Sequence, residues 1–466
     1  MARGRVRRLA PLSGARHAIV RMPFIHRRHA AVAAVALSLA YAVGILAGLD
    51  ALNGTWYWRR PWIDLGVLRC ALLLALPLPL VRVGLSPRFR SRTRLVALVL
   101  ASFGFQLAAA ACHPDAWERV RAIVESPVAT SYFTDATRIA DLREWLAGFH
   151  AARLELHSAT HPPGPILFHH AVLRIAGPES APLAAALLIG LIAASGVAVM
   201  WRFAGIWTDD PEARLAVAAW YAMLPALVVF FPEFDQCYPI LTMLLVTGWI
   251  GALRGSLARA AAFGVVAFVA TMFAWNLLSL GVFFALAVAW WWRHARGTPK
   301  VPAGLSGMLV ALATFVACHA LFALVSGYRP FASLFHAIDT QAVLAAMVDR
   351  PWWACVLLDP WDFLVGSGVA SIPLLVLFLA RMPDDARLDA ATAALIRIGL
   401  ATILVIDVSG LLRAETARVW LFLQPFVVVP AGLALARIEA RWRIAVFAAQ
   451  WLVLVAMVTR LSFIDP

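Results

Sequence analysis

The sequence predicts an all-α polytopic membrane protein of about thirteen transmembrane helices, with one large extracytoplasmic loop that carries amphipathic helices. Composition is the first reason: 62% of the 466 residues are hydrophobic and only 14% are charged, with a mean hydropathy of +0.80. A soluble domain of this length has no way to cover so much apolar surface. The second reason is the recurrence of apolar runs of about twenty residues, enough to cross roughly 30 Å of hydrocarbon. The third is the distribution of arginine between alternate loops.

The runs fall at 30–49, 65–85, 95–112, 181–201, 213–231, 236–253, 260–275, 277–292, 303–325, 361–380, 394–412, 418–436 and 443–459. The pair at 260–292 is parted only around Trp275 and Asn276. With the N-terminus in the cytoplasm, cytoplasmic segments hold 26 of the 40 basic residues and the opposite segments 13, Arg69 lying inside a span. That is the positive-inside bias. Merging the pair would place the arginines of 293–300 and 437–443 outside, so two spans are expected there. The organisation is then a basic cytoplasmic tail (1–29), three spans (30–112), an extracytoplasmic loop (113–180) and the remaining bundle (181–466). Outer loops follow at 232–239, 326–360 and 413–418.

The formal charge of +14 sits in cytoplasmic loops and the tail, where it faces anionic lipid; nucleic acid is not an expected partner. The first span has full length and no evident small-residue cleavage site, which reads as a signal anchor of a multi-pass protein of the plasma (inner) membrane. The five cysteines show no metal spacing and read as small packing residues. No internal repeat is visible, and polar chemistry gathers in the outer loops instead of at mid-span; Asp407 is the exception.

Within the large loop, a helix is expected over 135–150, capped by Thr134, with Ile139, Leu142, Trp145, Leu146 and Phe149 as its apolar stripe. Asp135 and Arg138 project on the stripe side. Either they form an ion pair at the helix start, or Asp135 is a general base held over a pocket and tuned by Arg138. Asp141 and Asp115 are the next carboxylates in line. Downstream, His157 and His161 flank Ser158-Ala159-Thr160, and Pro162-Pro163-Gly164-Pro165 leads into an apolar helix that Gly177 and Pro178 end. Pro162 disfavours a shared helix face for the two histidines and so disfavours a metal. The elbow is either structural or an anion site suited to phosphate, with His161 beside free helix N–H groups.

Two further clusters stand out. Pro232-Glu233-Phe234-Asp235 puts carboxylates at the hydrocarbon edge, where they need solvent or a partner. Arg413 to Trp420 contains Glu415 and Arg418, either an i,i+3 ion pair or, through Arg418, a fork for phosphate. Trp352, Trp353 and Trp361 read as interfacial belt residues. No metal site is predicted, and Glu233 with Asp235 are the groups that would hold a divalent ion if one is used.

The strings Tyr132-Phe133-Thr134-Asp135-Ala136, Thr160-His161-Pro162-Pro163-Gly164-Pro165 and Glu415-Thr416-Ala417-Arg418-Val419-Trp420-Leu421-Phe422-Leu423-Gln424-Pro425 resemble those of the GT-C superfamily of membrane glycosyltransferases, within the dolichyl-phosphate-mannose-transferase-like, RgtA/B/C/D-like group. The resemblance covers roughly 95–436. It implies transfer of a sugar from a polyprenyl-phosphate donor to a glycan, lipid or protein acceptor on the extracytoplasmic face, with an acidic residue of the first large loop as base. It departs from the family pattern in having two extra spans before the loop and Asp115-Ala116-Trp117-Glu118 in place of the usual acidic pair. On this reading Asp135, then Asp141 or Asp115, serves as base. His161, Arg138, Asp235, Glu415 and Arg418 bind donor phosphate or substrate, and no cofactor is required. A lipid-linked oligosaccharide ligase or polymerase, and a transporter or flippase working through Asp407 and Asn276, are the alternatives.

Overall fold

The computed structural model describes residues 27–52, 54, 57–58, 66–346, 351–382, 388–413, 415–462 and 464. The basic tail expected over 1–29 falls outside them except for its last three residues. Among the described residues the chain is helical throughout, apart from one antiparallel pairing of Tyr57–Trp58 with Leu461–Ser462.

Among the described residues nine helices are long and apolar enough to cross a membrane: Arg27–Leu46, Gly66–Leu85, Ser91–Ala111, Gly164–Ala204, Phe234–Leu253, Trp275–Ala295, Lys300–Ser326, Ala390–Ser409 and Ala440–Arg460. The protein is therefore polytopic. The other four expected spans are shorter or broken, each for a local reason. The run 213–231 forms Pro211–Ala222 and Pro225–Val229, because Pro225 forces Leu224 out of helical geometry, at ψ 127°. The run 361–380 becomes Trp352–Gly366 and Ser371–Arg381, bent by 100° around Gly368, whose φ of 81° suits glycine. The stretch 260–275 gives a 17-residue helix, Leu257–Phe273, that stops where Ala274 turns extended, so the division before Asn276 is real. The last, 418–436, starts its apolar helical stretch at Leu421.

Small residues set the closest helix contacts, as expected where apolar burial between helices gives little net drive. A side-chain carbon on Gly264 would sit 2.6 Å from the carbonyl oxygen of Ala311 in the neighbouring Lys300–Ser326 helix. At one end of the bundle Arg94, itself buried, grips Glu212 through both terminal guanidinium nitrogens at 2.5 and 2.7 Å and donates from Nε to the Gly84 carbonyl at 2.9 Å. The result ties the Ser91–Ala111 helix to the start of Pro211–Ala222.

The loop region between Ser91–Ala111 and the long helix starting at Gly164 consists of five short helical pieces. The helix expected over 135–150 is two helices, Tyr132–Thr137 and Leu142–Gly148. Asp141 breaks it by capping the second, accepting from the Glu144 N–H at 2.7 Å. Thr134 caps nothing; inside the first helix its hydroxyl donates to the Glu125 carbonyl at 2.9 Å. Of the expected stripe, Ile139, Leu146 and Phe149 are buried and Leu142 is exposed. The proline elbow does not open to solvent: residues 162–166 are all buried. The following helix bends at Gly177, at φ 75° and ψ 162°.

Gly164 explains the elbow's position. A side-chain carbon there would fall 2.1 Å from the Met272 carbonyl oxygen, so the start of this helix lies directly on the end of Leu257–Phe273. Gly164→Ala is expected to cost about 1–3 kcal/mol through overpacking against a backbone that cannot move aside. Thermal unfolding of the purified protein in detergent checks this, and Gly148→Ala, with nothing within 4 Å, is the neutral control.

Candidate functional site

The Phe234–Cys237 turn packs against the Gly164–Ala204 helix and the Leu421–Leu423 turn, and the Thr416–Val419 helix packs against the Phe234–Cys237 turn. Segments 233–235 and 415–418 thus meet, and a third, 157–161, lies close enough for Arg418 to act on both of its histidines. Arg418 is at the centre. Its guanidinium lies 2.7 Å from a Glu415 oxygen and 3.7 Å from Oε1 of Glu233, close enough for an ion pair and too long for a hydrogen bond. The Glu233 side chain is 2% exposed, that of Arg418 11% and that of Glu415 47%.

Electrostatics follow from this burial. Burial works against the Arg418 charge, but Glu415, Glu233 and Asp235 outweigh it and hold its pKa above the ordinary value. Burial pushes the Glu233 carboxyl up to about 8; Arg418 offsets part of the rise, while Asp235 and Glu415 add to it. At neutral pH Glu233 is mostly protonated. Tyr132 stays a neutral phenol, raised by burial and by Asp235 and Glu233.

Both histidines enter the site uncharged. Burial, with repulsion from Arg418 and from His161, lowers His157 to about 3 against the support of the Val128 backbone. For His161 burial dominates, opposed by its bond to the His157 backbone, and Arg418 lowers it further, to about 4. Nδ1 of His161 lies 2.8 Å from the His157 carbonyl oxygen. A carbonyl only accepts, so Nδ1 carries the proton and Nε2 the lone pair. The ring stands edge-on to Tyr132, centroids 5.5 Å apart. His161 therefore offers a hydrogen-bond acceptor, not a cation, to any ligand. With His157 in the short Leu156–Ala159 helix and His161 beyond its end, the two share no helix face.

The carboxylates of the large loop lie elsewhere. Asp135, 2% exposed, has both oxygens bonded: Oδ1 takes Arg138 at 3.0 Å and Oδ2 takes the Glu155 N–H at 3.1 Å, while Arg138 reaches the Glu155 carboxylate at 2.6 Å. The expected ion pair between Asp135 and Arg138 is present. Its effect is to hold residue 155, and Ser131 accepts the Ser158 N–H at 2.9 Å on the other side of His157. Arg138 is thereby committed to this clamp and is not among the groups around Arg418. Asp141 is the helix cap described above, and Asp115 is exposed at the start of Ala116–Glu125. Asp235 and Glu415 do join Arg418. Sequence reasoning underweighted Glu233, whose only signal was a carboxylate next to proline at the edge of an apolar run, and Tyr132. Among the described residues no group of three His, Cys, Asp or Glu side chains is placed to hold a metal ion.

No protein-family model matches this sequence, and no curated protein matches it.

Two expectations follow. Asp135→Ala removes two charge-assisted hydrogen bonds and should cost about 1–3 kcal/mol, whereas Asp135→Asn keeps an oxygen for the Glu155 N–H and should cost less; melting of both variants in detergent decides. Stability should also peak near pH 6.5. Glu233, raised above its unfolded value of 4.5, binds its proton more tightly when folded, so its contribution is lost as pH rises toward 8. His157 and His161, lowered from 6.5, make the fold lose stability as pH falls from about 6.5 toward 4, and two of them outweigh one glutamate in the overlapping window. Melting temperature against pH should show Glu233→Gln abolishing the alkaline fall and His157→Gln flattening the acid one.

Proposed function

We propose that this chain is a glycosyltransferase that moves a sugar from a polyprenyl-phosphate donor to an acceptor hydroxyl at the extracytoplasmic membrane surface. The observation that supports this best is the convergence of Arg418, Asp235, Glu233 and His161, from three segments, at one end of a membrane-spanning bundle. A donor with a lipid tail reaches such a site from the bilayer, and a guanidinium at the bundle end suits a phosphate leaving group. The acceptor hydroxyl attacks the anomeric carbon and gives its proton to a carboxylate, the bond from that carbon to the phosphate oxygen breaks, and polyprenyl phosphate departs toward Arg418. Asp235 takes the base role in preference to Asp135, whose oxygens are both engaged. Protonated Glu233 and the Nε2 lone pair of His161 donate to and accept from sugar hydroxyls. With Gly164 to Ala204 and the remaining spans in the plasma (inner) membrane and the N-terminus in the cytoplasm, the loops named above face outward, where no nucleotide-sugar is available.

A transporter reading has one observation in its favour. Asp407, in the Ala390–Ser409 span, is buried with Oδ1 lacking a hydrogen-bond partner. Complementation of a strain lacking this chain separates the two, with envelope glycans and lipid-linked sugars measured by mass spectrometry at matched membrane levels. Asp235→Asn and Arg418→Gln should each lower transfer at least a hundredfold, with donor accumulating, while Asp407→Asn should behave as wild type. Loss with Asp407→Asn alone would favour transport.

A further inference from the structure

Two carboxylates lie in the Trp352–Gly366 helix, at Asp359 and Asp362, and both are almost wholly buried. Oδ2 of Asp362 accepts from the Ala417 N–H at 3.2 Å and lies 3.5 Å from the Thr416 hydroxyl, which itself donates to the Asp359 carbonyl at 2.7 Å. The contact joins residues 55 apart in the chain and lands on the first turn of the Thr416–Val419 helix, immediately before Arg418. This four-residue helix is too short to hold itself, and it starts from Glu415 in left-handed geometry at φ 50° and ψ 31°, a costly conformation for glutamate that persists only when neighbours impose it. Elsewhere the segment is tied down by Asn276, which donates to the Val419 carbonyl at 3.2 Å, and by Trp420, whose indole N–H donates to the Leu412 carbonyl at 2.7 Å. Gly366 leaves room for it: a side-chain carbon there would stand 3.2 Å from the Ala417 carbonyl oxygen.

We infer that Asp362 is a positioning residue: through the Ala417 N–H and Thr416 it fixes the turn that aims Arg418 at Glu233 and hence at the donor phosphate. The role in transfer rests on the function proposed above; the aim at Glu233 does not. A side chain with oxygen acceptors suits the task because one of them accepts from the Ala417 N–H and lies close to the Thr416 hydroxyl as well.

The test compares Asp362→Leu, which keeps the branched skeleton and removes the acceptor, with Asp362→Asn, which keeps an oxygen for the Ala417 N–H. Melting temperature is followed against pH in detergent, with Arg418→Gln and Glu233→Gln as controls. In wild type the alkaline fall reports Glu233, which Arg418, Asp235, Glu415 and Tyr132 face. If Asp362 aims Arg418, Asp362→Leu frees Glu233 from its cation and moves the fall upward by half a pH unit or more, as Arg418→Gln does. Asp362→Asn leaves it in place. In transfer assays Asp362→Leu should raise the donor KM about tenfold and add nothing in the Arg418→Gln background. A uniform drop in melting temperature with the alkaline fall unmoved, or full additivity with Arg418→Gln, would overturn the inference. A wild-type chain that transfers no sugar would sink the functional reading and leave the pH profile to decide this one.

Discussion

A guanidinium buried where a membrane bundle meets its loops is tolerable only if carboxylates come to it, and in this protein they come from its own turn and from one other segment. Arg418 and Glu415 bring the 415–420 turn, Glu233 and Asp235 the turn at the start of Phe234–Leu253, and the two histidines the 157–161 segment of the large loop. Had these groups remained apart, each would carry its own desolvation cost at the hydrocarbon edge. Pairing makes their burial possible and ties the C-terminal third of the bundle to its middle and to the large loop.

Rigid, compact backbone allows the approach. Gly164 lets the long helix begin against the Met272 carbonyl, and Pro162 and Pro163 turn the chain into it without needing hydrogen-bond partners for their nitrogens. On the loop side the clamp of Asp135, Arg138 and Glu155 and the bond from Ser158 to Ser131 hold His157 from both flanks. Ser131 and Glu415 are the only non-glycine residues with positive φ among those described, and both adjoin the site. Local strain of this kind survives where surrounding contacts over-determine it.

The bundle was legible in the sequence because hydropathy over twenty residues is a bulk property that tertiary contacts seldom override. The breaks at Gly177, at Ala274 and before Leu421 lie where glycine or a polar residue interrupts an apolar run, while the bends at Leu224 and Gly368 come from a proline and a glycine within runs that read as single spans. The site was legible in part. Arg418 and Asp235 stood out as charges at span edges, and they meet. Asp135 stood out for the same reason, as a charge on an apolar face, yet its partners Arg138 and Glu155 satisfy it locally; helical projection sees Arg138, at three residues, and is blind to Glu155, at twenty. Asp362 drew no attention because an aspartate near tryptophan at the head of an apolar run looks like a membrane-edge residue. Its meaning lies in an N–H 55 residues away, and no local pattern encodes that.

Charge counting limits what this site can hold. One guanidinium faces three carboxylates, and the histidines contribute nothing because burial and Arg418 keep them neutral. Protonation of Glu233 brings the balance at neutral pH to one cation against two anions. Under the proposed function a donor phosphate therefore does not simply add to the cluster; it replaces a carboxylate at Arg418. Glu415 is the group able to yield, since its side chain is about half exposed while Glu233 is buried, and a carboxylate that swings into water recovers its solvation. Under the proposed function this exchange makes donor binding selective: a neutral glycolipid offers nothing to release Glu415, whereas a phosphate diester supplies the anion that Arg418 then retains as the sugar leaves.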